Sequence, residues 1–203
     1  VAEGQAVVEG IVPRGRAGSG ANTGNAAQSP QPSADGEAML ARAMRTYDQL
    51  GADPPKIDLA RNDRDNDPAH TIERHGPDVP LRRDPNVQTI EGRIYKDTGW
   101  SKAENQSFKW DGASIMTQEV NDYIRRNWDG IRSDLAMEGR HRGQYDSGHR
   151  VGEGFLNGGM HGTGPRQAHH MATSLVRIKI ELVPNSDPAK AFVVTAFPAG
   201  ILP

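Results

Sequence analysis

Residues 175–182, Leu-Val-Arg-Ile-Lys-Ile-Glu-Leu, alternate apolar and charged side chains without a break. Successive side chains on a strand project to opposite faces, so Val176, Ile178, Ile180 and Leu182 make a dry face and Arg177, Lys179 and Glu181 a wet one. This pattern commits the end of the chain to a sheet with one buried side. The following PNSDPAK is turn chemistry, and AFVVTAF then predicts the partner strand of an antiparallel hairpin. In that second strand Val193, Thr195 and Phe197 are expected on one face and Phe192, Val194 and Ala196 on the other. Pro198 is expected to end the ladder, having no N–H to donate.

A second pattern has the helical period. Over 117–136, Val120, Ile124, Trp128, Ile131 and Leu135 fall on one stripe, with Thr117 as cap and Gly139 near the end. Arg125, Arg126, Asp129 and Arg132 fall elsewhere on that helix's surface. Asp67-Pro68 supplies an N-cap and an N1 proline just before AHTIERH, and Gly76 closes a helix of about two turns. GPDVPLRRDPN reads as a proline-broken loop, and GRIYKDTGWSKAENQSFKW as short strands or turns. Residues 139–165 carry nine glycines and read as a long loop, a class that is usually functional or mobile. The fold class is α+β, with short N-terminal helices followed by a twisted antiparallel sheet.

Large apolar side chains are distributed unevenly. Of the aromatic residues, residues 1–68 hold only Tyr47, and they hold none of the 7 histidines. The globular domain is therefore placed at 69–203, and 1–68 is a flexible leader or linker with one helix at about 37–50. Within the leader, 13–36 has almost nothing to bury and reads as a flexible linker. Leu40, Ala43, Met44, Tyr47 and Leu50 give the helix its stripe, Ser33 or Asp35 its cap, and Gly51 its C′ position. Residues 52–68 read as an acidic linker.

Composition also excludes function classes. No apolar run is long enough for a membrane-spanning segment. No basic region followed by an apolar run opens the sequence, so no signal peptide is expected. Cysteine is absent, which removes disulfides, Cys-ligated zinc and thiol nucleophiles. A net charge of −2 gives no bulk signature of a nucleic-acid binder. The histidine spacings at His141, His149, His161, His169 and His170 match no zinc helix, and GHRVGEG and GGMHGTG match neither a phosphate-binding loop nor a dinucleotide fingerprint. No metal and no cofactor are expected.

The remaining chemistry lies around residues 70–83. His70 and His75 sit on one short helix and are followed by Arg82 and Arg83. An imidazole moves protons near neutrality and a guanidinium forks onto phosphoryl oxygens, so the combination suits phosphate-ester chemistry. The spacing alone leaves solvated surface residues as the alternative.

The string His70-Thr71-Ile72-Glu73-Arg74-His75-Gly76 resembles the opening motif of the bacterial RNase A-like toxin domain. That domain occurs at the C-termini of contact-dependent inhibition (CdiA) proteins and other polymorphic toxins. The terminal Thr195-Ala196-Phe197-Pro198 is similar to the Thr-x-Tyr-Pro of the family's last strand. Asn127-Trp128 on a helix, followed by a glycine-rich stretch and a hairpin, also resembles the family, over about 69–200. The chain departs in lacking the motif's Val-Gly pair, in a shorter loop to the arginine, and in Phe197 at the tyrosine position.

The resemblance implies an active site of His75, Arg82 or Arg83, and Thr195, with Phe197 at the fourth position and His70 alongside. The role of the missing hydroxyl is then either lost or supplied elsewhere, by Tyr95 or Tyr145. It implies a metal-independent endoribonuclease, in which the ribose 2′-hydroxyl attacks phosphorus to leave a 2′,3′-cyclic phosphate. The implied partners are an RNA substrate, tRNA among the candidates, and a cognate immunity protein. The implied setting is interbacterial competition, with secretion from the producer and action in the target cell's cytoplasm. RNA contacts are expected at Arg93, Lys96, Lys102 and Lys109, interleaved with Tyr95, Trp100, Phe108 and Trp110, with core tryptophans and solvated lysines as the equal alternative. The alternatives are a metal-dependent nuclease, an ADP-ribosyltransferase-like toxin, or a non-enzymatic binding module.

Overall fold

The terminal alternation folds as its pattern dictates. Strands β5 (Leu175–Leu182) and β6 (Ala191–Ala199) pair antiparallel, with Val176, Ile178 and Ile180 buried. The structure, a computed structural model, describes residues 33–201. Before the hairpin come helices α1 (Ala34–Leu50), α2 (Leu59–Asp65), α3 (Thr71–His75) and α4 (Gly92–Tyr95), strand β1 (Gln106–Trp110), helix α5 (Ala113–Glu138), and strands β2 (Arg140–Asp146), β3 (Gly152–Asn157) and β4 (Ala168–Thr173). The strands form two three-stranded antiparallel sheets, β1-β3-β4 and β2-β5-β6. The architecture is α+β, with the strands divided between two sheets.

Helix α5 supplies the largest share of the core. Val120, Ile124, Trp128, Ile131 and Leu135 are all buried, together with Trp110, Val151, Val176, Ile178, Ile180, Val193 and Ala196. The helix starts earlier than its sequence signal, with Gly112 at the N-cap and no side-chain capping bond, so Thr117 is not the cap. Gly139 closes it in the left-handed conformation at φ 74°. Arg132 is not a surface residue. Its guanidinium lies 3.7 Å over the Tyr47 ring and donates to the Tyr47 carbonyl, clamping α1 onto α5.

The glycine-rich stretch 139–165 is not a loop, since it contains β2 and β3. Several of its glycines answer close approach. A Cβ at Gly154 would stand 2.1 Å from the Ser107 carbonyl oxygen, and one at Gly143 would stand 1.9 Å from the Tyr123 hydroxyl. Pro198 does not end the ladder. It pairs with Val176 on β6, an edge strand whose outer side needs no N–H at that position.

The stretch 52–68 is also more than a linker. Helix α2 occupies its middle, capped by the Asp58 carboxylate, and buries Leu59 in the main core. Helix α1 runs from the Ser33 cap to Gly51, three residues longer at its start than its stripe suggested. The linker expected over 13–36 falls outside the described residues up to position 32. The opening helix motif is shorter than expected. Helix α3 begins at Thr71, with His70 rather than Asp67 at the N-cap.

Helices α2 and α3 are tied to the edge strand β6 through its backbone. Asn62, buried, donates from Nδ2 to the Val193 carbonyl at 2.7 Å and accepts the Val193 N–H at Oδ1, 2.9 Å. The His70 N–H donates to the Val194 carbonyl at 3.0 Å, and the Ala196 N–H donates to Thr71 Oγ1 at 3.0 Å. The ladder slips here: Lys179 faces Thr195 and Ile180 faces Val193, so Val194 is the extra residue of a bulge. The bulge puts Val193 and Ala196 together in the core, where strict alternation would have separated them. Thr195 and Phe197 still share a face, as expected.

Asn62→Ala strips partners from two buried backbone groups, and is expected to lower unfolding stability by about 2–4 kcal/mol. Urea denaturation checks this, and an unchanged midpoint would contradict it.

Candidate functional site

Where α3, β1, α4 and the hairpin meet, they enclose a cleft of about 250 Å³. It is lined by His70 and His75 from the α3 segment and Arg93 from α4. Glu104, Gln106, Ser107 and Phe108 come from β1 and its approach, and Arg177, Thr195 and Phe197 from the hairpin.

His75 is held on two sides. Its Nδ1 donates to the Phe108 carbonyl at 2.8 Å, and its ring stacks on Phe197 with centroids 4.7 Å apart and planes at 17°. A carbonyl only accepts, so Nδ1 carries the proton and Nε2 keeps the lone pair. His75 is 4% exposed, and burial pushes its pKa down to about 3. The hydrogen bond to Phe108 opposes that shift, while the charge of Arg93 reinforces it. His70 has the same tautomer for the same reason, with Nδ1 donating to the Pro68 carbonyl at 2.8 Å. Its ring centre is 6.4 Å from that of His75, and burial lowers its pKa as well.

Thr195 and Phe197 reach the cleft because both point off β6 to the wet side of the hairpin. Opposite them on β5 stand Lys179 and Arg177. Arg177 donates from Nε to Gln144 Oε1 at 2.9 Å. Arg93 lies 4.6 Å over the Trp100 ring, with Nη2 4.0 Å from Glu104 Oε1, and burial draws its pKa down while leaving it cationic. Two residues that line the cleft, Ser107 and Thr195, carry hydroxyls that are buried with no hydrogen-bond partner among the described residues. Leaving such a group unpaired costs about 1–3 kcal/mol, so pairs of them are rare unless something else uses them.

Of the residues singled out in the sequence, His70, His75, Arg93, Phe108, Thr195 and Phe197 line this one cleft. Arg82 and Arg83 do not line the cleft. Arg82 is exposed, with its guanidinium 5.3 Å from the Phe155 ring centre. Arg83 forks onto Asp97 at 2.6 and 2.9 Å and covers the Tyr95 ring at 4.0 Å. The guanidiniums at the cleft are those of Arg93 and Arg177. Neither Tyr95 nor Tyr145 supplies a hydroxyl there. The Tyr95 hydroxyl accepts the Ala168 N–H, and the Tyr145 hydroxyl donates to Glu119 Oε2. Burial, then that hydrogen bond, raises the Tyr145 pKa further. Phe108 and Trp110 are core residues and offer no open stacking face. Lys109 is committed to the Val79 carbonyl and Lys102 to Glu104, whereas Lys96 is exposed.

Arg177 carried a signal that went unused. Once the hairpin is drawn, the wet face of 175–182 must oppose the face of Thr195 and Phe197, which brings in Arg177. Glu104, Gln106 and Ser107 carried no comparable signal, because β1 is short and its pairing is non-local. Among the described residues no group of three or more His, Cys, Asp or Glu side chains comes together to hold a metal, and no helix is long and apolar enough to cross a membrane.

A histidine with a lower pKa folded than unfolded takes up its proton more readily when unfolded. The His75 contribution is therefore complete above about pH 6.5 and is lost as pH falls toward 3. Wild-type stability is expected to fall more steeply over that window than that of His75→Gln, which still donates to Phe108. Parallel curves from urea melts at stepped pH would contradict the assignment.

No family model matches the chain, and no curated protein does. Among solved structures it is similar to a chain of the crystal structure of the CdiA-CT/CdiI complex from Y. kristensenii 33638. The identity is 16%, the match covers 65% of this chain and 100% of that one, and the TM-score is 0.47.

Proposed function

We propose that this chain is a metal-independent endoribonuclease toxin that cleaves RNA through the 2′-hydroxyl. The observation that carries the reading is the free Nε2 of a neutral, doubly anchored His75. It shares one cleft with the Thr195 hydroxyl and two guanidiniums. The cleft is smaller than the ~300 Å³ at which pockets begin to enclose whole small ligands, which suits a substrate that threads past it.

In this reading His75 Nε2 takes the proton of a ribose 2′-hydroxyl, and that oxygen bonds to the adjacent phosphorus. The five-coordinate phosphorane gathers negative charge, which Arg93, Arg177 and the Thr195 hydroxyl stabilise in a water-poor setting. The P–O5′ bond then breaks, and the leaving oxygen takes up the proton that His75 Nε2 removed, with His70 Nε2, unprotonated in its tautomer, placed to relay it. The products are a 2′,3′-cyclic phosphate and a 5′-hydroxyl end. The low pKa of His75 in the empty cleft favours the base form at neutral pH. The charge of a bound phosphodiester raises its proton affinity as transfer begins. Phe197 holds the imidazole plane by stacking, and its lack of a hydroxyl leaves charge stabilisation to the arginines and Thr195.

The sequence resemblance supports an immunity protein as partner, tRNA as a candidate target, and delivery from a producing bacterium into a competitor's cytoplasm.

Incubation of the purified chain with tRNA in excess chelator is expected to give fragments with cyclic-phosphate ends. His75→Ala is expected to lose roughly 10³-fold in rate while remaining folded, as removal of a general base does. Both tRNA and total RNA left intact by wild-type protein, or undiminished cleavage by folded His75→Ala, would overturn the reading. Arg93→Gln is expected to lose more activity than Arg82→Ala or Arg83→Ala, and the reverse order would return the phosphate contact to the 82–83 loop. Phe197→Tyr is expected to keep or raise the rate, because the ring stack is retained.

A further inference from the structure

Thr195 is not the only orphaned hydroxyl on the cleft. Ser107 is 1% exposed, and its Oγ has no hydrogen-bond partner among the described residues. It lines the same cleft from β1, while Thr195 lines it from β6, so the two unpaired hydroxyls come from strands of different sheets. Ser107 is fixed by its pairing with Phe155 on β3. The next residue, Phe108, gives its carbonyl to His75 Nδ1. One short strand therefore sets both the base and a buried hydroxyl beside it.

Buried hydroxyls are normally satisfied, and the unsatisfied ones invite a ligand or an ordered water. A purely structural serine at this position gains nothing over alanine from the described residues, none of which its oxygen bonds. We propose that Ser107 is a further substrate-contacting residue, whose hydroxyl donates to a non-bridging oxygen of the scissile phosphodiester from the β1 side of the cleft. This deepens the ribonuclease reading and rests on it. The donated hydrogen bond strengthens as charge builds on that oxygen, so Ser107 acts on the chemical step more than on binding.

The site predicts an inverse pattern for Ser107→Ala. Removing an unpaired buried hydroxyl leaves thermal stability unchanged or raised, because no partner is orphaned. The rate is expected to fall on the order of 100-fold, carried by kcat rather than KM. A dinucleotide whose non-bridging oxygens are replaced one at a time by sulfur separates contact from packing. Wild-type enzyme is expected to slow selectively on one diastereomer, and Ser107→Ala to lose that selectivity. Ser107→Gly serves as a second variant, with the same expected losses of rate and of selectivity and a modest loss of stability from glycine within a strand. An active wild type with Ser107→Ala equally fast and equally selective overturns the inference alone. So does a rate loss matched by a loss of stability with selectivity retained. A wild type inactive on every RNA tested overturns the ribonuclease reading first.

Discussion

The cleft depends on how the edge of the terminal hairpin is closed. An exposed edge strand presents a row of unpaired N–H and C=O groups. Here the bulge at Val194 turns that row, and α2 and α3 cover it with Asn62, Thr71 and the His70 N–H. These bonds do more than satisfy the edge. They fix the start of α3 against residues 193–196, so that His75, one turn further on, lands against Phe197 and beside Thr195. The hydroxyl and the imidazole are 120 positions apart in sequence and become neighbours through this one junction.

The second sheet completes the arrangement. Strand β1 is held to β3 by a close backbone approach that tolerates only glycine at position 154, and Trp110 donates from Nε1 to the Ala196 carbonyl. That bond couples β1 to β6 across the core. The Phe108 carbonyl, which sets the tautomer of His75, is therefore positioned by the same packing that positions Thr195. Burial from both sheets keeps His75 neutral, and the acid lability this predicts is the stability cost of holding an imidazole dry.

Much of this was legible in the chain. The alternation at 176–182 and the stripe from Val120 to Leu135 name core residues directly, because each pattern records which face is dry. The shared face of Thr195 and Phe197 followed from strand period alone. What could not be read was non-local. The bulge at Val194 depends on helices that cap the strand from elsewhere. The glycines at 143 and 154 look like loop signals but mark places where a tyrosine hydroxyl and a backbone carbonyl leave no room for a Cβ. Arg93 and Arg177 replace Arg82 and Arg83 at the cleft because sequence proximity to His75 is a poor guide once α4 and β5 fold back toward it. The leader's acidic stretch concealed α2 because Leu59 and Asn62 are isolated anchors in an otherwise polar run.

The direct test of whether these groups form one phosphodiester site is imidazole nitrogen NMR during titration with a 2′-deoxy dinucleotide, which binds but lacks the attacking hydroxyl. Binding is expected to shift the His75 Nε2 resonance and raise its pKa, with a smaller change at His70. His141, which is held between Tyr123 and Asp134, should stay fixed. A dinucleotide that binds while leaving His75 unmoved, or that perturbs His141 instead, would contradict the account.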